Sequence, residues 1–173
     1  QGVYAGDVTI KGGKAGAAPI SLRARGTARV LMPSAIKVAG GHGIEFERLN
    51  FASTVSVTAS EKVRFNNCRF FAKDKALQAT QCAGLTLTHS EFTQFAHVGV
   101  QLDSCTSVEL SSNVYENRHG PAVTFGIAAD VNLTLRYSDY NSYADADKAW
   151  MVNGQTIALT DARKTAQDIY ARE

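Results

Sequence analysis

The chain has 173 residues, 45% of them hydrophobic, with 18 basic and 16 acidic side chains for a net charge of +2. That supports one domain with a sizeable core and gives no reason to expect nucleic acid or an anionic membrane surface as partner. No apolar run approaches the roughly 18 residues of a spanning helix, and three cysteines are too few for a disulfide scaffold.

In chain order, "QGVYAGDVTI" (1–10) has no charged region followed by an apolar one, so it does not read as a signal peptide. From residue 35 onward two kinds of short segment recur. One kind comprises "AIKVA" (35–39), "TVSVT" (54–58), "ALQAT" (76–80), "VGVQL" (98–102) and "AVTFG" (122–126). The other comprises "IEFERLNF" (44–51), "VRFNNCRF" (63–70), "LTLTHSEF" (85–92), "VELSSNVY" (108–115) and, more loosely, "LTLRYSDY" (133–140). Each of the second kind reads apolar, any, apolar, two mostly polar residues, one small or polar residue, any, aromatic. Their starts are 19, 22, 23 and 25 residues apart, a period that signals a solenoid. Alternation of period two inside each unit is strand periodicity, and Val, Leu, Phe and Thr suit strands. Helical apolar patterns of sufficient length are missing from the units, as is the Leu–Asn framework of a leucine-rich repeat.

The pattern predicts an all-β parallel β-helix of about six or seven coils. Its inward pairs are Ile36/Val38, Val55/Val57, Leu77/Ala79, Val100/Leu102 and Val123/Phe125. A second inward ladder is Ile44, Val63, Leu85, Val108 and Leu133. Asn66–Asn67 turns a corner, since Asn tolerates the left-handed conformation. A small or polar corner ladder then runs Leu49, Cys68, Ser90, Asn113 and Ser138. Cys82 and Cys105 lie one coil apart and stack as free thiols, with Cys68 at a different corner. "TDARKTAQDIYARE" (160–173) reads as a C-terminal helix lidding the last coil.

These features resemble the right-handed parallel β-helix of the pectate-lyase type. The run "GVYAGDVTIKGGKAGAAPISLRARGTARV" (2–30) resembles the entry of the alginate-lyase and chondroitinase B type, and "SDYNSY" (138–143) with Trp150 and "ARKTAQDIYARE" (162–173) resembles the tail of uncharacterised bacterial exported β-helix proteins. The resemblance implies one β-helix domain over 1–173, a module of a larger exported protein placed outside the cell or in the periplasm. It implies polysaccharide as partner, acidic ones included, beside other domains of the parent chain.

Chemistry is less legible. The outward ladders Lys37, Ser56, Gln78, Gln101, Thr124 and Ala39, Thr58, Thr80, Asp103, Gly126 hold one carboxylate. They therefore support neither a calcium site nor a glycosidase carboxylate pair, and no cofactor is expected. The loops "AKDKA" (72–76), "FAHVG" (95–99) and "ENRHG" (116–120) align along one edge. With the neighbouring strand they gather Lys73, Lys75, His97, Gln101, Asp103, Glu116, Arg118 and His119 as candidate ligand-binding residues. The same charges also read as a solvated edge with ordinary ion pairs. Phe71, Phe95, Tyr140, Tyr143 and Trp150 form a second candidate surface for stacking on sugars, with Tyr140 and Trp150 expected to pack under the C-terminal loop. The expected function is non-catalytic carbohydrate recognition or scaffolding. The alternatives are a lyase or epimerase acting on acidic glycans and a structural surface without a sugar ligand.

Overall fold

The structure is a computed structural model that describes residues 6–26, 30–72, 74–116, 125–130, 132–143 and 149–157. Within them the chain repeats one three-strand rung six times. The rungs are β1 (Val8–Lys11), β2 (Ile20–Arg23), β3 (Val30–Met32); β4 (Ile36–Ala39), β5 (His42–Glu47), β6 (Leu49–Phe51); β7 (Val55–Thr58), β8 (Glu61–Asn66), β9 (Arg69–Phe70); β10 (Lys75–Thr80), β11 (Thr86–Thr88), β12 (Glu91–Thr93); β13 (Val98–Asp103), β14 (Val108–Ser111), β15 (Val114–Glu116); β16 (Phe125–Ala129), β17 (Leu135–Asp139), β18 (Ser142–Tyr143). β19 (Trp150–Val152) opens a seventh rung and turns back as β20 (Gln155–Ile157). The first strands of all rungs make sheet I, the second strands sheet II and the third strands sheet III. All neighbours are parallel except the β19–β20 hairpin. Its turn, Asn153–Gly154, has φ of 49° and 76°, which an Asn-Gly pair adopts readily.

The interior follows from alternation. Ile36, Val55, Leu77 and Val100 share one column, and Val38, Val57, Ala79 and Leu102 the next, all buried. In sheet II, Ile44 pairs Val63, and the registers of β8, β11 and β14 place Leu85 and Val108 above them. Phe46 stacks on Phe65 at 4.7 Å. In sheet III an aromatic column runs Phe51, Phe70, Phe92, Tyr115 and Tyr143, with successive ring centroids 4.9, 4.6, 5.0 and 5.0 Å apart. The coil rise thus coincides with a favourable ring separation.

Two corners make the coil close. Between sheets II and III a single residue in each of the second to sixth rungs is left-handed: Arg48, Asn67, His89, Ser112 and Tyr140, with φ from 50° to 57°. Asn67 turns the corner while Asn66 stays in β8. For an L-residue this conformation costs about 1–2 kcal/mol. The ladder offsets it, since the amides of Arg48, Asn67, His89 and Ser112 each donate to a carbonyl one coil further on. The next residue is buried and meets the residue above it through its side chain. The Cys68 amide donates to Ser90 Oγ (3.1 Å), the Ser90 amide to Asn113 Oδ1 (3.0 Å) and the Asn113 amide to Asn141 Oδ1 (3.0 Å). At the corner between sheets I and II the buried column is Gly41, Ser60, Cys82 and Cys105, and the Gly41 amide donates to Ser60 Oγ.

The last full rung departs from the expected register. Val100 pairs Ile127, and Phe125 pairs Val98, so Val123/Phe125 is not the inward pair above Val100/Leu102. Ala128 follows Gln101 in the outward ladder where Thr124 was expected, and Gly126 stacks on Gly99 rather than following Asp103. The stretch of sequence between β15 and β16 has four residues more than that between β12 and β13. Its residues 117–124, including Val123 and Thr124, lie outside the described residues, as does the expected helix at 160–173. In sheet II, Val108 pairs Leu135 rather than Leu133, and a bulge follows, so that Glu109 meets Tyr137. Asp130 accounts for the slip in sheet II. Its carboxylate accepts from the Ser104 amide (2.8 Å) and Ser104 Oγ (2.9 Å), and from the Asn132 amide (3.2 Å). The chain is thereby turned out of the coil and rejoins at Thr134, whose amide donates to Cys105 O. The Ser104 amide hydrogen bond is also the main cause holding the Asp130 carboxyl below the usual carboxylate range. Asn141 and Tyr143, not Ser138 and Tyr140, therefore top the corner and aromatic columns.

The aromatic column needs empty space opposite. Gly99 and Gly126 supply it: a Cβ on Gly126 would sit 2.8 Å from the Tyr143 ring and 3.1 Å from Ala149 O, and one on Gly99 would sit 2.7 Å from Gly126 O. Gly126→Ala should cost about 1–3 kcal/mol through overpacking. An unchanged denaturant midpoint would show that the column yields freely.

Candidate functional site

The predicted edge resolves into three separate places. Ala96 and His97 donate their amides to Asp74 O, so the first two loops stack as expected. His97 Nδ1 lies 2.5 Å from Asp74 Oδ1, with both side chains about two-thirds exposed. Lys75 opens β10 and pairs Val98. Gln101 and Asp103 face outward on sheet I, where Gln101 Nε2 donates to Asp103 Oδ1 at 2.7 Å. They are four and six positions beyond His97, roughly 13 and 20 Å along the strand. Glu116 ends β15 on sheet III. Lys73, Arg118 and His119 lie outside the described residues. The aromatic candidates also divide. Phe95, Tyr143 and Trp150 are core residues and Phe71 is half-buried. Tyr140 is 55% exposed and so does not pack under a loop: it is the left-handed corner residue of its rung.

Glu116 belongs to a groove on the outer face of sheet III, with a volume near 440 Å³. Two outward rows line it. Asn50, Arg69 and Glu91 are register partners on β6, β9 and β12. Thr93 and Glu116 pair in the next row, and Phe71, one residue past the Phe70–Phe92 pair, continues that row. Gln94 closes the groove at the turn. Alternation creates these rows: the residues between corner and aromatic must point out because both neighbours point in. Arg69 is fixed, with Nε and Nη2 at 2.7 and 2.6 Å from Glu91 Oε2. The Asn50 side-chain oxygen is shielded from solvent and finds no donor among the described residues. Sequence reasoning reached Glu116 and Phe71 and missed Asn50, Arg69, Glu91, Thr93 and Gln94, although their outward placement was readable from the repeat.

A second groove, near 660 Å³, runs along sheet II from His42 and Glu45 past Arg64 to Arg136. Its charges are largely tied to one another: Arg64 Nη1 is 3.3 Å from Glu45 Oε1, and His42 Nδ1 is 3.2 Å from Glu61 Oε2. Among the described residues that line it there is no Phe, Tyr or Trp. Among the described residues no three His, Cys, Asp or Glu side chains gather as metal ligands.

A search of curated proteins found no match. Residues 28–161 match the family described as the right-handed β-helix region. That span runs from just before β3 to beyond the terminal hairpin, and the chain belongs to this right-handed β-helix family.

Proposed function

We propose that this β-helix is a non-catalytic carbohydrate-recognition module of an exported bacterial polysaccharide-associated protein, and that the sheet III groove holds the sugar. The observation that carries the reading is the groove's composition. One aromatic face, Phe71, stands beside Asn50, Arg69, Glu91, Thr93, Gln94 and Glu116. A sugar ring offers an apolar face and a rim of hydroxyls, which an aromatic ring and fixed polar groups complement. Glu91 is held by Arg69 through two contacts to one oxygen, which leaves its other oxygen to accept a hydroxyl. Phe71→Ala should weaken oligosaccharide binding about tenfold, equivalent to ~1.4 kcal/mol, with little change in melting temperature because Phe71 is outside the core cluster. Calorimetry with neutral and uronic oligosaccharides, at low and high salt, measures this. Salt-sensitive binding of the uronic set alone would assign an acidic ligand. Equal affinity in the wild type and the variant would remove the groove from the reading.

A further inference from the structure

Cys82 and Cys105 occupy adjacent steps of the buried corner column between sheets I and II. The bridge pairing Ala83 with Thr106 sets their register, and the Thr106 amide donates to Cys82 O at 2.8 Å. Neighbouring strands lie about 4.8 Å apart, within the Cα separation of about 4.4–6.8 Å that a disulfide spans. The thiols point the same way. Cys82 Sγ is 3.4 Å from Val57 O, and Cys105 Sγ is 3.5 Å from Ala79 O, each a carbonyl of the coil below. Both residues are buried and free. Cys68 is buried in the other corner column, between Leu49 and Ser90, and has no cysteine neighbour there.

We propose that Cys82 and Cys105 are a redox-modification site, joined into a disulfide by a low-molecular-weight disulfide such as oxidised glutathione. Cys82 is the attacking thiol. It loses its proton, its sulfur bonds one glutathione sulfur, and the first glutathione leaves as thiolate. Cys105 then loses its proton and attacks the Cys82 sulfur, and the second glutathione leaves. The two cysteines are oxidised by two electrons and one glutathione disulfide is reduced to two thiols. The environment supports that order. The Cys105 thiol is pushed up by its hydrogen bond to Cys82 and by burial, and the same hydrogen bond draws Cys82 down to about 7, near the ambient pH at which an attacking thiol is most effective. Ala83 and Gly84, which follow Cys82, line the sheet II groove.

The experiment incubates the folded chain with oxidised glutathione, quenches with acid, denatures it and alkylates the remaining thiols before intact-mass and peptide analysis. The expected result is one alkylated thiol, Cys68, a Cys82–Cys105 linked peptide, and a melting temperature raised by roughly 5–10 °C because the bridge closes a loop of the unfolded chain. Cys105→Ser, a size and polarity the same column accepts at Ser60, should leave Cys82 arrested as the glutathione mixed disulfide. Three alkylated thiols, a persistent glutathione adduct on the wild type, a bridge involving Cys68, or a bridge formed only in denaturant would each overturn the proposal.

Discussion

Val100→Asp is expected to abolish folding of the chain at ordinary temperature. Val100 is fully buried in the first interior column, between Leu77 below and Ile127 above. Its substitute would place a carboxylate in a closed apolar interior. Without a partner, a buried charge costs several kcal/mol even after its pKa has shifted to neutralise it. A domain of this size has ~5–15 kcal/mol in total. The fold aggravates the loss, since solenoid stability is roughly a sum of nearest-neighbour interfaces and this one substitution weakens the contacts on both sides of the fifth rung. Circular dichroism and sedimentation should show an unfolded or aggregated chain. A soluble variant with the wild-type denaturant midpoint would mean that Val100 does not face the interior.

The position of Val100 was legible because its column rests on strict alternation repeated at nearly constant spacing, and a one-residue slip would turn every apolar side chain outward. The stacking of Cys82 and Cys105 was legible for the same reason. The reading failed where alternation loses its phase. "AVTFGIAAD" (122–130) is apolar at nearly every position, so Val123/Phe125 and Ile127/Ala129 are equally good inward pairs by pattern. Only the sheet register selects the second. In the last repeat the apolar start of "LTLRYSDY" drew the alignment, yet Asn141 and Tyr143 repeat the spacing of Asn113 and Tyr115 two positions apart. That corner-and-ring pair, constrained by both hydrogen bonding and stacking, was the better anchor. The candidate site was less legible, for a different reason. Charged loop residues such as His97 and Lys75 attract attention as chemistry, but concavity comes from how successive rungs bend, which one sequence does not state. Asn50, Arg69 and Glu91 could be read as outward-facing and could not be read as the wall of a groove.

The corner column also yields the more discriminating test. Asn113 is fully buried and connects three rungs. Its Oδ1 accepts the Ser90 amide at 3.0 Å, while its Nδ2 donates to Leu87 O at 2.9 Å and to Asn141 Oδ1 at 3.1 Å. Asn141 repeats the motif by donating Nδ2 to Leu110 O at 2.9 Å. Leucine has the same branching and the same number of side-chain heavy atoms, although it is bulkier, so Asn113→Leu keeps the shape approximately and removes the hydrogen bonds. If the column were held by shape alone, the substitution would be neutral or stabilising. The geometry argues otherwise, because the Ser90 amide and Leu87 carbonyl would be left buried without their partner, each at about 1–3 kcal/mol. The expected loss is therefore ~2–5 kcal/mol, or roughly 5–15 °C in melting temperature for a chain of this length. Asn113→Ser should lie between the two, since a hydroxyl in this column can take the amide below, as Ser90 does for Cys68, but is too short to bond Leu87 O. Thermal unfolding of the three proteins should order them Asn, Ser, Leu from most to least stable. A leucine variant as stable as the wild type would show that the buried amides are satisfied elsewhere and that the column is packing rather than hydrogen bonding.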